Sequence, residues 1–376
     1  MTSRFRVGVP LLATVVVVTL AAAPPPRIVA IGDVHGAGDA FVSILQRAGL
    51  IDAGRKWTGG TAILVQTGDL LDRGQDARAV LDLLIALEPQ ASAAGGRLQS
   101  LLGNHEVMNL LGETRDVAPQ LYQQFAGSGS EGRREQAFQA ASKLSRDKPL
   151  DKADWLAGHP LGYLEYREAL APAGPYGKWL RSKPIIAEIN DTVFMHGGIN
   201  TEFTTESLDN INKRVRRELN EFDEGFRWLQ QHDLALPFFT LTEVVQVAHD
   251  ELTRLETKRK RDSLTDDDVS EAKALLPILN IDSSALLNAN GPLWFRGFAA
   301  WTDEEGRERT AALLKKYKVK RFVTAHTPQP GKIMSRFDNT LFLIDTGMLD
   351  GKFYPGGRPS ALEIVGDEVT PIYVDR

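Results

Sequence analysis

An α/β fold with a parallel or mixed sheet is predicted for this 376-residue chain by three features of its sequence. Short apolar runs bounded by glycine recur along it, several of them end in Gly-Asp or Gly-Asn, and helix-patterned stretches lie between them. Short runs of β-prone or leucine-rich residues read as buried strands. Strands alternating with helices imply right-handed βαβ units.

The elements follow in order. Residues 28–31 run into Gly32-Asp33, 62–66 lead through Thr67 to Gly68-Asp69, and 98–102 run into Gly103-Asn104. Between them, 40–48 and 76–87 carry apolar residues at three- and four-residue spacing, the period of a helix face. From residue 107 to about 181 the chain reads as helical and loopy, with a soft Gly-Ser stretch at 127–132. A hairpin is expected from 185–189 and 192–195 around Asn190-Asp191, leading into His196-Gly197-Gly198. A second helical insertion covers about 207–287. Within it, the basic run 258–261 and the acidic 266–268 read as one helix ending and another starting, with Thr265 as cap. Strand signals return at 321–324, 340–344, 361–365 and 369–374.

Composition narrows the function classes. With 43% hydrophobic and 25% charged residues the chain is an ordinary globular one, neither disordered nor a multi-span membrane protein. A net charge of -5 supplies no general basic field, so nucleic acid is not an expected partner. The chain has no cysteine, which excludes disulfides, thiolate metal sites, a lipoprotein anchor and any cysteinyl-phosphate intermediate. At the N-terminus, Arg4 and Arg6 precede an apolar run, 7–23, that closes on Ala21-Ala22-Ala23. This is the order of a secretory signal, so 1–23 is read as a signal peptide or uncleaved anchor, 24–26 as a proline spacer and 27–376 as one catalytic domain. The expected location is therefore the periplasm, with membrane contact only through an uncleaved 1–23.

The chemistry gathers at strand ends: Asp33 and His35, Asp69, Asn104 and His105, His196, and His326. In open sheets ligands collect beyond the carboxyl ends of the strands, where these residues fall. Carboxylate oxygens and imidazole nitrogens suit manganese, iron or zinc. Asp69, flanked by glycine and central in the series, is the natural bridge between two ions. Two metals about 3.5–4 Å apart clamp the attacking and leaving oxygens of an in-line displacement. Four of the seven histidines occupy strand ends; His159, His232 and His249 do not and are assigned to structure or surface.

The segments GDVHG (32–36), GDLLDRG (68–74), GNHE (103–106) and HGG (196–198), in this order, resemble the signature of the metallophosphoesterase superfamily. Asp72-Arg73-Gly74 and His105-Glu106 point within it to the phosphoprotein phosphatases. GNHEVMN (103–109), GPLWFRG (291–297), AHTPQ (325–329) and GGRPSALEI (356–364) are similar to the Shewanella-like branch. The resemblance covers about residues 27–374.

It implies an α/β/β/α sandwich of two mixed sheets flanked by helices, with helical insertions near 107–181 and 207–287. It also implies that Asp33, His35 and Asp69 hold one metal, while Asp69, Asn104, His196 and His326 hold the other. Arg73 would bind phosphate with Arg296 as a second clamp, because a planar guanidinium matches phosphate oxygens in pairs. His105, oriented by Asp72, would protonate the leaving oxygen, and hydroxide held by the metals would attack without a covalent enzyme intermediate. Trp294-Phe295-Arg296 has a second reading as a packed structural turn, and Asp345 stands open between supporting the ligands and forming a turn. The implied substrate is a phosphorylated protein or small phosphoester. The alternative is a nucleotide or dinucleoside polyphosphate hydrolase, since such bacterial enzymes share the Gly-Asp and Asn-His-Glu motifs. An inert metal-binding relative is disfavoured, because every ligand and His105 are retained.

Overall fold

The structure, a computed structural model, describes residues 25–145, 149–200, 203–329, 331–351 and 353–374. The apolar segment 1–23 lies outside the described residues. Two five-stranded mixed sheets face each other. In the first, β1 (Arg27–Ile31), β2 (Ile63–Gln66) and β3 (Arg97–Ser100) run parallel. In the second, β4 (Ile186–Ile189) forms the expected hairpin with β5 (Thr192–Met195), which runs parallel to β6 (Arg321–Thr324). β7 (Met334–Arg336), which the sequence did not reveal, closes that sheet antiparallel to β8 (Leu341–Leu343). β9 (Ser360–Val365) and β10 (Glu368–Tyr373) return to the first sheet, β9 antiparallel to β1, so that β1 is central.

Parallel neighbours cannot be joined by a tight turn and need a crossover. α1 (Gly38–Arg47) and α2 (Ala77–Ala93) supply two of them. α2 runs past the expected end at 87 and carries Pro89 inside it at an exposed position, away from the packed face. Alternation along β1 divides the core. Ile28 and Ala30 pack with Val65, Phe194, Val323 and Ile344 between the sheets, whereas Val29 and Ile31 pack with Phe41, Ile44 and Leu84 of the helices. Full burial of each such side chain stabilises by about 1.5–3 kcal/mol.

Two helical excursions interrupt this frame. The first holds α3 (Asn104–Leu111), α4 (Pro119–Gln123), α5 (Ser130–Leu144), α6 (Lys152–Gly158), α7 (Tyr163–Leu170) and α8 (Pro175–Arg181). The second holds α9 (Leu208–Gln231), α10 (Leu241–Lys260) and α11 (Asp266–Leu279). Leu208, Ile211, Val215, Leu219 and Phe222 line the buried stripe of α9 at helical spacing. The chain returns through α12 (Gly297–Ala300) and α13 (Asp303–Tyr317) to β6. Among the described residues, no helix is long and apolar enough to cross a membrane.

Candidate metal centre

Asp33, Asp69, Asn104, His196 and His326 follow the carboxyl ends of β1, β2, β3, β5 and β6 on one edge of the sandwich. Two glycines let these ends close up. Gly68 has φ of +96°, and a Cβ there would stand 2.3 Å from the Gly103 nitrogen; a Cβ on Gly103 would stand 2.2 Å from Asp69 Oδ1. Side chains at either place would force the ends of β2 and β3 apart. Glu106 then ties the loops together. Its carboxylate accepts backbone N–H bonds from Asp69 (2.7 Å), Leu70 (2.7 Å), Leu71 (3.1 Å) and Gly103 (2.8 Å). Gly103 has no oxygen with which to cap α3, so only the returning half of a capping box is present, and Glu106 makes it.

The six expected ligands come together. Asp69 Oδ2 lies 3.6 Å from His35 Nε2 and 3.3 Å from His196 Nε2. His35 Nε2 is 3.7 Å from Asp33 Oδ2, and its Nδ1 is fixed by the Leu71 carbonyl at 2.9 Å. On the other side, His196 Nε2 lies 2.8 Å from Asn104 Oδ1 and 3.0 Å from His326 Nδ1. The Trp294 carbonyl holds His326 Nε2 at 3.0 Å, and Thr67 O holds His196 Nδ1 at 3.1 Å. Each ring is thus steered from behind, the arrangement that orients metal-binding imidazoles.

Electrostatics agree with a cation site. Burial pushes His35 down to about 3 and His326 down to about 2, so both rings are neutral and offer lone pairs. Burial opposes ionisation of Asp69, but His196 and His105 hold its carboxylate well below the usual range. Burial, with Asp345 and Asp69 nearby, pushes Asp33 up. Among the described residues no lysine or arginine is ion-paired with Asp33, Asp69 or Asp345. Asp345 Oδ2 is buried without a hydrogen-bond partner, while Oδ1 accepts from Gly347 N at 2.9 Å. Buried carboxylates so placed, with nitrogens converging at 3.0 Å, are a donor set that fits two divalent ions.

Around this floor stand the groups suited to a phosphoester. His105 Nδ1 meets Asp72 Oδ2 at 2.6 Å; Asn109 Nδ2 donates to Asp72 Oδ1 at 2.8 Å, and Tyr166 OH donates to Asn109 Oδ1 at 2.6 Å. Arg73 Nη2 is 3.0 Å from His105 Nε2, and Arg73 also donates to Tyr354 OH and contacts His35. Arg296 is exposed and its Nη1 donates to the His326 carbonyl at 2.6 Å. With Asp69, Arg73, His105 and Tyr354 it lines a pocket of about 220 Å³. The Trp294 carbonyl meanwhile braces His326, so the aromatic turn both packs and faces the site.

The remaining histidines lie elsewhere. His159 stacks on Trp155 with centroids 4.0 Å apart, His232 on Trp228 at 3.8 Å, and His249 is exposed. Glu106, Asn109, Tyr166 and Tyr354 join the site without having been expected there from the sequence. A Glu three residues after a helix-starting Gly is a legible signal for the first. Tyr354 stacks on His35 with centroids 6.0 Å apart, yet stands 281 residues from Arg73 in a loop without periodicity, and nothing local announces it.

Comparison with known proteins agrees with this geometry. Shewanella-like protein phosphatase 2 of Arabidopsis thaliana is 36% identical over 216 residues, 54% of this chain, and this chain spans about half of that relative's length. Shewanella-like protein phosphatase 1 of Plasmodium berghei is 26% identical over 342 residues, covering 90% of this chain and 71% of the relative. Among solved structures, the cold-active protein-tyrosine phosphatase of a psychrophilic Shewanella shares the fold. Its TM-score is 0.58 at 24% identity, over 92% of this chain and 77% of the other. Residues 26–330, which contain all six of the clustered side chains, match the model of the calcineurin-like phosphoesterases, and the chain belongs to that family.

Proposed function

We propose that this chain hydrolyses phosphomonoesters at a two-metal centre and that its substrates are phosphorylated proteins. The observation that carries the reading is Asp69 Oδ2, one carboxylate oxygen standing between His35 at 3.6 Å and His196 at 3.3 Å. Asp33, His35 and Asp69 would hold one ion, and Asp69, Asn104, His196 and His326 the other. Manganese and iron suit this mixed oxygen and nitrogen set, with zinc the third candidate. Bound there, the ions would neutralise phosphoryl oxygens and make water nucleophilic near neutral pH.

The protein's own groups do the rest. Arg73 and Arg296 grip the non-bridging oxygens from two sides of the pocket. While Arg73 donates to His105 Nε2, that ring carries its proton on Nδ1, against Asp72. A phosphate that engages the guanidinium frees Nε2 to take up a proton from solvent. Burial opposes that charge, but Asp69 and Asp72 raise the His105 pKa and favour it. Nε2 then delivers the proton to the departing alkoxide or phenolate oxygen. Export to the periplasm, read from the Arg-apolar-small order of residues 4–23, completes the proposal.

The test is metal analysis of the purified chain joined to rates on phosphotyrosyl and phosphoseryl peptides and on dinucleoside polyphosphates. About two ions per chain and a preference for phosphopeptides are expected. Preference for dinucleoside polyphosphates, or full activity after complete chelation, would overturn the reading.

A further inference from the structure

The catalytic pocket, at about 220 Å³, accommodates a phosphoryl group and the side chain that carries it. The remainder of a protein substrate must lie against the surface beside it. Next to the pocket a groove of about 410 Å³ runs between α3 and α10. Met108, Leu241, Val245, Leu287 and Trp294 give it apolar walls.

Two of those walls are also braces of the metal centre. Met108 Sδ is 3.9 Å from Asn104 Nδ2, and the Trp294 ring stands edge-on to His326, centroids 6.1 Å apart. Trp294 of the groove thus stands against His326 of the pocket. The groove's far wall belongs to the second helical excursion, which is fastened to the first: Leu241 N donates to Gly112 O at 3.2 Å, and Tyr163 OH to Phe238 O at 3.0 Å.

Charge decides the occupant. Among the described residues that line the groove the one cation is Arg115, and it is engaged by Glu113 at 3.3 Å and Asp116 at 3.7 Å. Glu113 and Asp282 add negative charge to the rim. These carboxylates would repel a second phosphate or an acidic flank.

We propose that this groove receives the chain flanking the phosphorylated residue of a protein substrate and selects an apolar side chain there. The inference rests on the phosphomonoesterase reading above. A groove volume between 300 and 1,000 Å³ with apolar walls is in the range that binds such groups, and the loss of one well-buried apolar contact costs about 10-fold or more in specificity.

The experiment uses the full chain loaded with manganese. Its substrates are p-nitrophenyl phosphate, a dinucleoside polyphosphate and two phosphopeptides differing only in leucine or aspartate beside the phosphorylated residue. Wild-type protein should prefer the leucine peptide by about 10-fold in kcat/KM, the difference residing in KM. Val245→Trp fills the groove and should abolish the preference, with turnover of p-nitrophenyl phosphate kept within about twofold. Thr242→Trp, at an exposed position of the same helix, should act in the same direction without endangering folding. Equal wild-type rates on the two peptides overturn the groove alone. So does a loss on p-nitrophenyl phosphate that parallels the peptide loss in both variants, or a selective loss on the dinucleoside polyphosphate. Wild-type protein inactive on every phosphomonoester overturns the phosphatase reading and the groove with it.

Discussion

The floor of the metal centre and the helical excursion from α9 to α11 solve the same problem, ordering backbone, in opposite ways. In the excursion each helix is closed by a neighbour in sequence. Ser207 Oγ accepts from Asn210 N at 3.2 Å, Thr240 and Glu243 exchange bonds, and Thr265 and Asp268 do the same. At the floor, His35, Asp69, Asp72, Arg73 and His326 all have φ between 46° and 70°, a region costly for residues with side chains. They are kept there by partners far along the chain, such as Glu106 for Asp69 and Leu71 for His35. Local closure makes a helix that forms wherever it is placed. Closure from a distance makes a site that exists only when the sheets have met.

Substitutions that remove long-range partners should therefore hurt most. Asp69→Asn removes the charge proposed to serve both ions, and should lower metal content and reduce turnover by more than about 10³-fold; two ions retained at wild-type affinity would contradict the proposed bridging place. His105→Asn should leave metal content near normal and slow alkyl phosphates by about 10²–10⁴-fold, with a smaller loss on aryl phosphates whose leaving groups are acidic. An equal loss on both classes would remove His105 from proton transfer.

Glu106→Gln sharpens the contrast on the side of stability. An amide turns an NH₂ group toward backbone N–H donors that the carboxylate accepted, and should cost about 2–3 kcal/mol in denaturant titration. A change below about 0.5 kcal/mol, the size of a neutral surface substitution, would mean the loops hold themselves. Thr265→Ala should cost only about 1 kcal/mol and leave turnover alone, because the cap it removes serves one helix. The same cap carries a pH signature. The Lys258 ammonium, with Thr265, holds the Asp268 carboxylate below its usual value of 3.8. A depressed folded pKa gives stability that is present above that value and lost as pH falls below it. Asp268→Asn should flatten the acid limb of the stability profile below about pH 4, where wild-type protein weakens.

The same contrast governs what could be read from the sequence. Strand ends were legible because glycine and a metal-type ligand fall together at 32–33, 68–69 and 103–104, and each is a local signal. Thr265 was legible as a cap for the same reason. β7 was not, since Met334–Arg336 is three residues long, largely exposed and without alternation. α13 also went unread, its face diluted by charge. The orienting series Tyr166–Asn109–Asp72–His105 joins α7, α3 and a strand-end loop, and only the assembled fold sets those residues in line.

The central, parallel placement of β1 gives the molecule two poles. Pro25 and Pro26, just ahead of β1, lie beside Asn190, Asp191, Lys320 and Asp367, where the parallel strands begin. The clustered Asp, Asn and His side chains lie where those strands finish. A tether joined ahead of Pro25, whether to a lipid surface or to a bead, would therefore leave the reactive face pointing outward. Immobilisation through that end should preserve access for substrates as large as folded proteins, whereas attachment near Phe353, at the rim of the pocket, should block it.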